Sequence, residues 1–172
     1  PIVYCMDRAG LVGPDGPTHH GVFDISMLRM LPNMVVTAPK DGNELKNLLA
    51  TATASGKSFS IRYPKGSSRN FDSSLTPEIL KIGEWEALNE GCKVAILATG
   101  SMVAIVEDYL EFISEALGFI PSLINARFIK PLDMTMLSSL SNNYEAIITM
   151  EEGCLAGGFG SAVIEYFNDI GS

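Results

Sequence analysis

The chain has 172 residues, of which 47% are apolar and 19% are charged, a balance that argues against disorder and indicates a folded globular protein. The formal net charge of −8 argues against nonspecific nucleic-acid binding, which depends on basic surface. Cys5, Cys92 and Cys154 are far apart and follow no ligand spacing, which argues against a structural metal site and predicts free thiols in a reducing compartment.

The sequence has no apolar run of membrane-spanning length and no basic-then-apolar signal peptide pattern at its start. The first residue is Pro1 rather than a methionine, so we expect the chain to be a piece of a longer polypeptide. Its length is sufficient for one large domain or two small ones, each with a core of its own.

The first elements predicted are a strand, a glycine-rich loop and a helix. Residues 1–6 form a short apolar run typical of a buried strand, and residues 22–28 have the pattern of the first turns of a helix. Residues 7–21 lie between them and combine glycines with aspartate, arginine and histidine. A strand that leads into such a loop before a helix is a common way for an open α/β sheet to build a ligand site.

Two more strands are predicted on either side of a second helix. Residues 34–37 form a short buried strand, and residues 59–63 alternate as a strand does. Between them, Asp41 and Glu44 have the spacing of a capping box, and Gly56 marks the end of the helix. The predicted inward face of this helix consists of Leu45, Leu48, Leu49 and Ala52. Strands that alternate with helices in this way imply a parallel sheet with right-handed crossovers.

A linker is predicted over residues 67–81, because this stretch is rich in serine, asparagine, aspartate and proline. After it, residues 82–88 predict an edge strand and residues 94–98 a buried strand. Ser101 is the predicted cap of a helix that runs to about Leu117. The predicted buried stripe of that helix consists of Ile105, Tyr109, Phe112, Ile113 and Ala116.

The last third of the chain repeats this alternation. Residues 122–126 and 146–150 predict two further buried strands, and Asp133 is the predicted N-cap of a short helix between them. The inward residues of that helix are predicted to be Met136, Leu137 and Leu140. A glycine-rich loop over residues 153–161 leads into a final amphipathic helix, and its glycine spacing is not that of a dinucleotide fingerprint.

The fold class predicted from this pattern is α/β, with two small three-layer α/β/α domains built on mainly parallel sheets. We expect residues 1–66 to belong to the first domain, residues 67–81 to form the linker, and residues 82–172 to belong to the second domain.

Four side chains at the predicted carboxyl ends of strands carry the candidate chemistry. His19 can exchange a proton near neutrality, and Asp15 can orient it or bind a substrate hydroxyl. Arg8 can hold a phosphate or carboxylate through its planar fork, and Lys65 adds a second cation after the third strand. The alternative is that residues 7–21 form an ordinary turn-rich loop, since glycine, proline and aspartate favour turns.

Two further residues near this site are assigned no ligand. His20 is predicted to pack or to lie at the rim, because adjacent histidines rarely bind one metal ion. Arg62 lies at the same strand end as Lys65, and an ordinary surface charge is the alternative for both residues. The sequence therefore assigns no metal-binding residue.

The order of residues in the glycine-rich loop resembles that of a known family. Asp-Arg-Ala-Gly at positions 7–10, Asp-Gly-Pro-Thr-His at 15–19 and Phe-Asp at 23–24 resemble the 1-deoxy-D-xylulose-5-phosphate synthase family, a branch of the transketolase-like, thiamine-diphosphate-dependent enzymes. The wider group shares the Asp-Gly-x-Thr-His core, whereas Asp-Arg-Ala-Gly distinguishes this branch from transketolase. The resemblance continues in order through residues 28–34, 38–44, 61–66, 127–133, 151–152 and 157–158.

The resemblance implies that residues 1–66 are the C-terminal part of a pyrimidine-binding domain and that residues 82–172 are an incomplete transketolase-type C-terminal domain. It implies an enzyme that condenses pyruvate with glyceraldehyde 3-phosphate, with loss of CO2, in the first step of the non-mevalonate isoprenoid pathway. The cofactors implied are thiamine diphosphate and Mg2+. Their main ligands in the family lie outside this stretch, so no cofactor-binding residue is assigned and the chain alone is expected to be inactive. A homodimer in the bacterial cytoplasm or in a plastid is also implied.

By the same resemblance, His19 and Asp15 are the candidate catalytic residues, and Arg8 and Lys65 hold the phosphate of the acceptor. The family usually has arginine where this chain has Lys65. Lysine keeps the charge but loses the bidentate fork, so we expect phosphate binding with weaker geometric discrimination. Two alternatives stay open. One is another thiamine enzyme, either transketolase or the β subunit of a 2-oxoacid dehydrogenase, and the other is a non-catalytic α/β assembly module.

Overall fold

The structure, a computed structural model, describes residues 1–171 of the chain. Within these residues the secondary structure consists of strands and α-helices in alternation, arranged as two four-stranded sheets. Most of the strand pairs are parallel, so the predicted α/β class with mainly parallel sheets is confirmed.

The first sheet contains three parallel strands from the N-terminal part of the chain and one antiparallel strand from further on. Its strands are β1 (Val3–Met6), β2 (Met34–Thr37), β3 (Ser58–Arg62) and β7 (Phe128–Lys130), and its helices are α1 (Asp24–Arg29) and α2 (Gly42–Ser55). The spatial order is β1-β3-β2-β7, with β7 antiparallel to β2. Because the carboxyl ends of the three parallel strands share one edge of the sheet, the loops that follow them meet there.

The second sheet comes entirely from the C-terminal half. Its strands are β4 (Glu86–Asn89), β5 (Val94–Ala98), β6 (Ser122–Asn125) and β8 (Ala146–Met150), and its helices are α3 (Ser101–Leu117), α4 (Met134–Asn143) and α5 (Phe159–Asp169). The order is β4-β6-β5-β8, and the predicted edge strand β4 pairs antiparallel to β6.

The terminal strands of the two sheets differ from the prediction. β1 and β8 were expected to be buried, but each lies at the edge of its sheet. Tyr4 in β1 and Ile148 in β8 are 48% and 46% exposed. The error follows from the pattern itself, since a continuous apolar run indicates a strand without indicating its place in the sheet.

Helix ends follow the predicted caps closely. The side chain of Asp41 accepts a hydrogen bond from the backbone nitrogen of Glu44 at 2.8 Å, and Gly56 ends α2 with a left-handed φ of 64°. The Glu44 carboxylate, however, accepts from the backbone nitrogen of Lys40 rather than from that of the cap residue. Asp133 caps α4 as predicted, by accepting from the backbone nitrogen of Met136 at 2.9 Å.

The predicted inward face of α3 is wrong. Tyr109 and Phe112 are 60% and 68% exposed, whereas Val103 and Val106 are the residues that the helix buries. Ser101 does not cap the helix; Gly100 occupies the cap position. The helix is apolar on more than one side, so the periodicity of 3.6 residues is satisfied by two different stripes. The structure buries the stripe that faces β5 and β6.

One apolar core crosses the predicted boundary between the domains. It includes Phe59 from β3 and Leu97 from β5, together with Phe128 from β7 and Trp85. The Trp85 indole nitrogen donates to the backbone oxygen of Phe128 at 2.7 Å. Residues 67–81 form no helix or strand in the described chain, and Lys46 donates to backbone oxygens within them. The division at 67–81 stays a prediction, although β7 ties the two parts together.

Phe128→Ala should destabilise the whole chain, because the side chain is fully buried in the shared core. We expect the free energy of unfolding, measured by urea denaturation, to fall by about 3–5 kcal/mol. Phe112→Ala is the matched control: it removes the same atoms from a 68% exposed site and should change the value by about 0.5 kcal/mol or less. Equal losses in the two variants would contradict the assignment of the core.

Candidate functional site

The glycine-rich loop between β1 and α1 is closed on itself and docked on the first sheet. The backbones of Gly10 and Gly21 exchange hydrogen bonds in both directions at 2.9 Å, and Ala9 donates to the backbone oxygen of Tyr63 at 3.0 Å. A Cβ atom at Gly21 would collide with the carbonyl oxygen of Arg8, so only glycine allows the two ends of the loop to approach this closely. The loop is therefore fixed relative to the end of β3.

Three of the four predicted site residues meet in one ionic cluster. Lys65 Nζ lies 2.6 Å and 2.9 Å from the two carboxylate oxygens of Asp15, and Arg8 Nε lies 2.7 Å from one of them. Arg8 also donates through Nη1 to Asp7. Asp15 is thus the common partner of both cations, which is the juxtaposition that strand-end geometry predicts. The roles assigned to these residues stay predictions.

The electrostatics of this cluster favour an ionised carboxylate. The hydrogen bonds from Lys65 and then from Arg8 lower the pKa of Asp15 below its ordinary value. A proton on Asp15 would disrupt both ion pairs, so at neutral pH its carboxylate acts as an acceptor and a fixed negative charge. Arg8 and Lys65 carry two positive charges, and Asp7 and Asp15 supply two negative ones.

The two histidines lie in the same loop but have different surroundings. The exposed His19 ring places Nδ1 3.0 Å from the Thr18 hydroxyl. Within residues 1–171, this ring forms no hydrogen bond with the side chains of Asp15, Arg8 or Lys65. His20 is half-buried and accepts from the backbone nitrogen of Val12 through Nδ1 at 2.9 Å. His20 thus stabilises the loop through a hydrogen bond to its backbone, whereas the imidazole of His19 is exposed to solvent.

A buried ion pair lies beneath the loop, and sequence reasoning missed it. Arg62 Nε lies 2.6 Å from the Asp24 carboxylate, and the two side chains are only 3% and 5% exposed. Arg62 also donates to the backbone oxygens of Gly21 and Glu152. The sequence did contain a clue, because Arg62 lies within the predicted strand 59–63. A charged side chain buried there without a partner would be energetically costly. Asp24 lay within the recognised motif but was assigned no partner.

Residues that follow the last strand of the second sheet contact the glycine-rich loop. Glu152 follows β8 and accepts from the Ser101 hydroxyl at 2.5 Å, and its other oxygen is 3.4 Å from the backbone nitrogen of Leu11. Glu151 accepts from the first backbone nitrogens of α5, including that of Phe159 at 2.9 Å, and so caps that helix. The glutamate pair therefore links the glycine-rich loop to the starts of α3 and α5.

A cavity of about 560 Å³ adjoins the ionic cluster at the carboxyl edge of the first sheet. Its walls are Asp7 after β1, residues 39–42 after β2, residues 63–69 after β3, and Ser101 at the start of α3, together with its neighbours in that helix. All three parallel strands of the sheet thus end on one cavity, which is the usual location of a ligand crevice in an open α/β sheet. Lys65 belongs both to this wall and to the ionic cluster.

A second group of charged side chains connects the two sheets. Glu44 is 5% exposed and accepts from the Asn125 amide nitrogen at 2.7 Å, with Arg127 at 3.5 Å. Lys40 Nζ lies 2.6 Å from Glu86, which is also 3.2 Å from Asn125. Burial raises the pKa of Glu44 above its ordinary value, and the neighbouring donors only partly oppose this effect.

Residues 1–171 contain no group of three or more histidine, cysteine, aspartate or glutamate side chains arranged to hold a metal ion. No helix among them is long and apolar enough to cross a bilayer.

Comparison with known proteins now defines the class. The transketolase pyrimidine-binding domain matches residues 1–70, and the transketolase C-terminal domain matches residues 83–171. The chain belongs to the transketolase family. Among its curated relatives are the 1-deoxy-D-xylulose-5-phosphate synthases of Syntrophus aciditrophicus and Thermomicrobium roseum. Each is 48% identical over 172 residues, which is 99% of this chain but only 26% and 27% of those proteins.

Solved structures have the same fold. A split-gene transketolase described as an inactive β4 tetramer superimposes with a TM-score of 0.84 at 27% identity, over 97% of this chain and 53% of that one. A transketolase from Campylobacter jejuni matches with a TM-score of 0.62 at 17% identity, over 98% and 29%. The resemblance predicted from the sequence is confirmed, and the chain spans about a quarter of the curated relatives that it matches.

The raised pKa of Glu44 predicts that ionisation of this residue opposes folding. The folded state retains the proton to higher pH than the unfolded state, so the stabilising effect is complete below the ordinary glutamate pKa and is lost as pH rises through the folded value. We expect the free energy of unfolding of the wild-type chain, minus that of Glu44→Gln, to fall as pH rises above the ordinary glutamate pKa of about 4.3.

The measurement is urea denaturation of both proteins at several pH values. Glu84→Gln, which makes the same change at an exposed glutamate, is the control. A wild-type advantage over Glu44→Gln that grows with pH would show that the neighbouring donors outweigh burial.

Proposed function

We propose that this chain is part of a 1-deoxy-D-xylulose-5-phosphate synthase, which joins pyruvate to glyceraldehyde 3-phosphate with loss of CO2 on thiamine diphosphate. The observation that carries the proposal is the convergence of Arg8 and Lys65 on one point at the carboxyl edge of the first sheet. Paired cations at such a crevice suit a phosphorylated substrate. The identity to curated synthases along nearly the whole chain supports this choice over other phosphate-binding proteins.

Each side chain has a role that its position permits. Arg8 and Lys65 hold the phosphate of the acceptor. His19, whose imidazole is open to solvent, exchanges a proton with a hydroxyl or carbonyl oxygen of the substrate. Asp15 binds a substrate hydroxyl or keeps the two cations in place.

The cofactor supplies chemistry that no side chain of this chain supplies, namely the stabilisation of a carbanion. In the family, the main ligands of thiamine diphosphate and Mg2+ are expected to lie outside the stretch that this chain covers. We therefore propose no cofactor contact for this chain and no step through the cofactor. Homodimer formation and a cytoplasmic or plastid location are part of the same proposal.

Transketolase activity is the second candidate, and the similarity to a split-gene transketolase favours it. Asp-Arg-Ala-Gly at positions 7–10 and the higher identity to the synthases oppose it. The full-length enzyme separates the two candidates: a synthase turns over pyruvate with glyceraldehyde 3-phosphate, and a transketolase requires a ketose donor.

Replacing either cation by alanine should weaken binding of the phosphorylated acceptor. In the full-length enzyme, Lys65→Ala and Arg8→Ala should raise KM for glyceraldehyde 3-phosphate roughly 10- to 100-fold, because each removes a charge-assisted hydrogen bond. KM for pyruvate should change much less. The measurement is steady-state kinetics with each substrate varied in turn.

Lys57→Ala, which removes an exposed lysine from the opposite end of β3, is the control and should leave both KM values unchanged. Lys65→Arg should retain acceptor binding. His19→Ala should lower kcat, and an unchanged kcat would favour the assembly module instead. Equal increases in both KM values for Lys65→Ala would contradict the phosphate role.

The chain alone is expected to be catalytically inactive and to bind thiamine diphosphate only weakly. The reason is that the family's main ligands for the diphosphate and its metal ion are expected to lie outside this stretch. Isothermal titration of the 172-residue chain with thiamine diphosphate and Mg2+ tests this. A submicromolar Kd, or turnover of pyruvate by the chain alone, would refute the proposal.

A further inference from the structure

The cations assigned to the substrate phosphate are already occupied by this chain's own carboxylates. Asp15 accepts two hydrogen bonds from Lys65 Nζ and one from Arg8 Nε, and Asp7 accepts one from Arg8 Nη1. The charges of these four residues cancel. A phosphate that simply docked here would meet a neutral cluster rather than a free pair of cations.

The carboxylate of Asp15 is held firmly in this position. Its side chain is 17% exposed, against 34% for Arg8 and 47% for Lys65, so it lies on the inner side of the cluster. It belongs to a 3-10 turn (Gly13–Asp15) whose backbone is closed by a hydrogen bond from Asp15 to Val12. Lys65 is the more mobile partner, because its exposed ammonium lies at the end of a flexible stem.

We propose that Asp15 acts as an internal competitor for the phosphate site and thereby determines which anions the two cations accept. The inference rests on the proposed function of Arg8 and Lys65. A monoanionic carboxylate that displaced Asp15 would restore no more charge than it removed, and it would also lose the entropy of association. A phosphate monoester is predominantly a dianion at neutral pH, so it brings one more negative charge to the same cations.

This selection has a use in the proposed reaction. One substrate is a 2-oxoacid with a carboxylate, and the other carries a phosphate. Two exposed cations with no internal partner would attract both anions. With Asp15 in place, the carboxylate of the donor gains little at this site, whereas the phosphate of the acceptor retains an advantage. Asp15 is then a positioning and specificity-determining residue that acts through Arg8 and Lys65.

The test is a direct measurement of anion binding by the 172-residue chain. Inorganic phosphate and acetate are titrated separately at neutral pH and constant ionic strength, and Kd is followed by NMR shifts of the loop amides. Wild type is expected to bind phosphate more tightly than acetate. Asp15→Asn should bind both anions about three- to tenfold more tightly, because the same internal competitor is removed for both.

Two further variants separate a lost charge from a disturbed fold. Asp15→Glu keeps the carboxylate and should keep the wild-type preference for phosphate. Asp108→Asn removes a carboxylate from an exposed pair with Arg69 and should change neither Kd. Circular dichroism of each variant checks the fold. If Asp15→Asn does not fold, the wild-type ratio decides, and equal affinity for phosphate and acetate overturns the inference.

The outcomes distinguish this inference from the function on which it rests. Unchanged or weaker anion binding by Asp15→Asn overturns the competitor role while leaving the phosphate site in place. Wild-type binding of phosphate that survives both Arg8→Ala and Lys65→Ala overturns the site itself, and so does the absence of phosphate binding in every variant.

Discussion

The ion pair between Arg62 and Asp24 is the interaction on which the geometry of the site depends. Burying both charges costs solvation free energy, and the pair is stable only because its remaining polar atoms are also satisfied. Arg62 reaches the backbone oxygens of Gly21 and Glu152 as well as the carboxylate. One side chain at the end of β3 thus fixes the close of the glycine-rich loop, the start of α1 and the turn after β8. Lys65 follows three residues later, so its distance from the loop is set by the same anchor.

Several contacts besides this ion pair fix the two sheets relative to each other. Strand β7 belongs to the C-terminal half of the chain but pairs with β2 in the first sheet. Trp85, in the shared core, donates a hydrogen bond to the backbone of β7 at Phe128. Glu44 and Asn125 make a second, polar connection between the two sheets. A cavity walled by both sheets keeps its shape only while these contacts hold. The residues that define the crevice are therefore distributed over the whole chain, although the chemistry is concentrated in one loop and one strand end.

Local signals in the sequence predicted most of the elements, and non-local ones were missed. Strand β2 and the caps at Asp41 and Gly56 depend on a few neighbouring residues, and the structure has them where the pattern places them. The pairing of β7 with β2 joins segments about ninety residues apart, for which no local pattern exists. The face of α3 and the burial of Arg62 depend equally on what packs against them. For the site, the order of the predicted strands indicated that Arg8, Asp15 and Lys65 lie close together. The sequence did not indicate that Asp15 forms ion pairs with both cations, because these pairs depend on side-chain positions.

Lysine at position 65, where the resemblance predicts arginine, gains a physical meaning from the proposed competitor role of Asp15. A guanidinium binds a carboxylate through two parallel hydrogen bonds, and a phosphate would have to break both at once. An ammonium is a point charge with three equivalent protons on a flexible stem, and here two contacts to Asp15 use the same nitrogen. It can turn from one anion to another through intermediate geometries. The geometric discrimination lost with the planar fork is then replaced by discrimination on charge, because the displaced carboxylate sets the minimum charge that an incoming anion must supply.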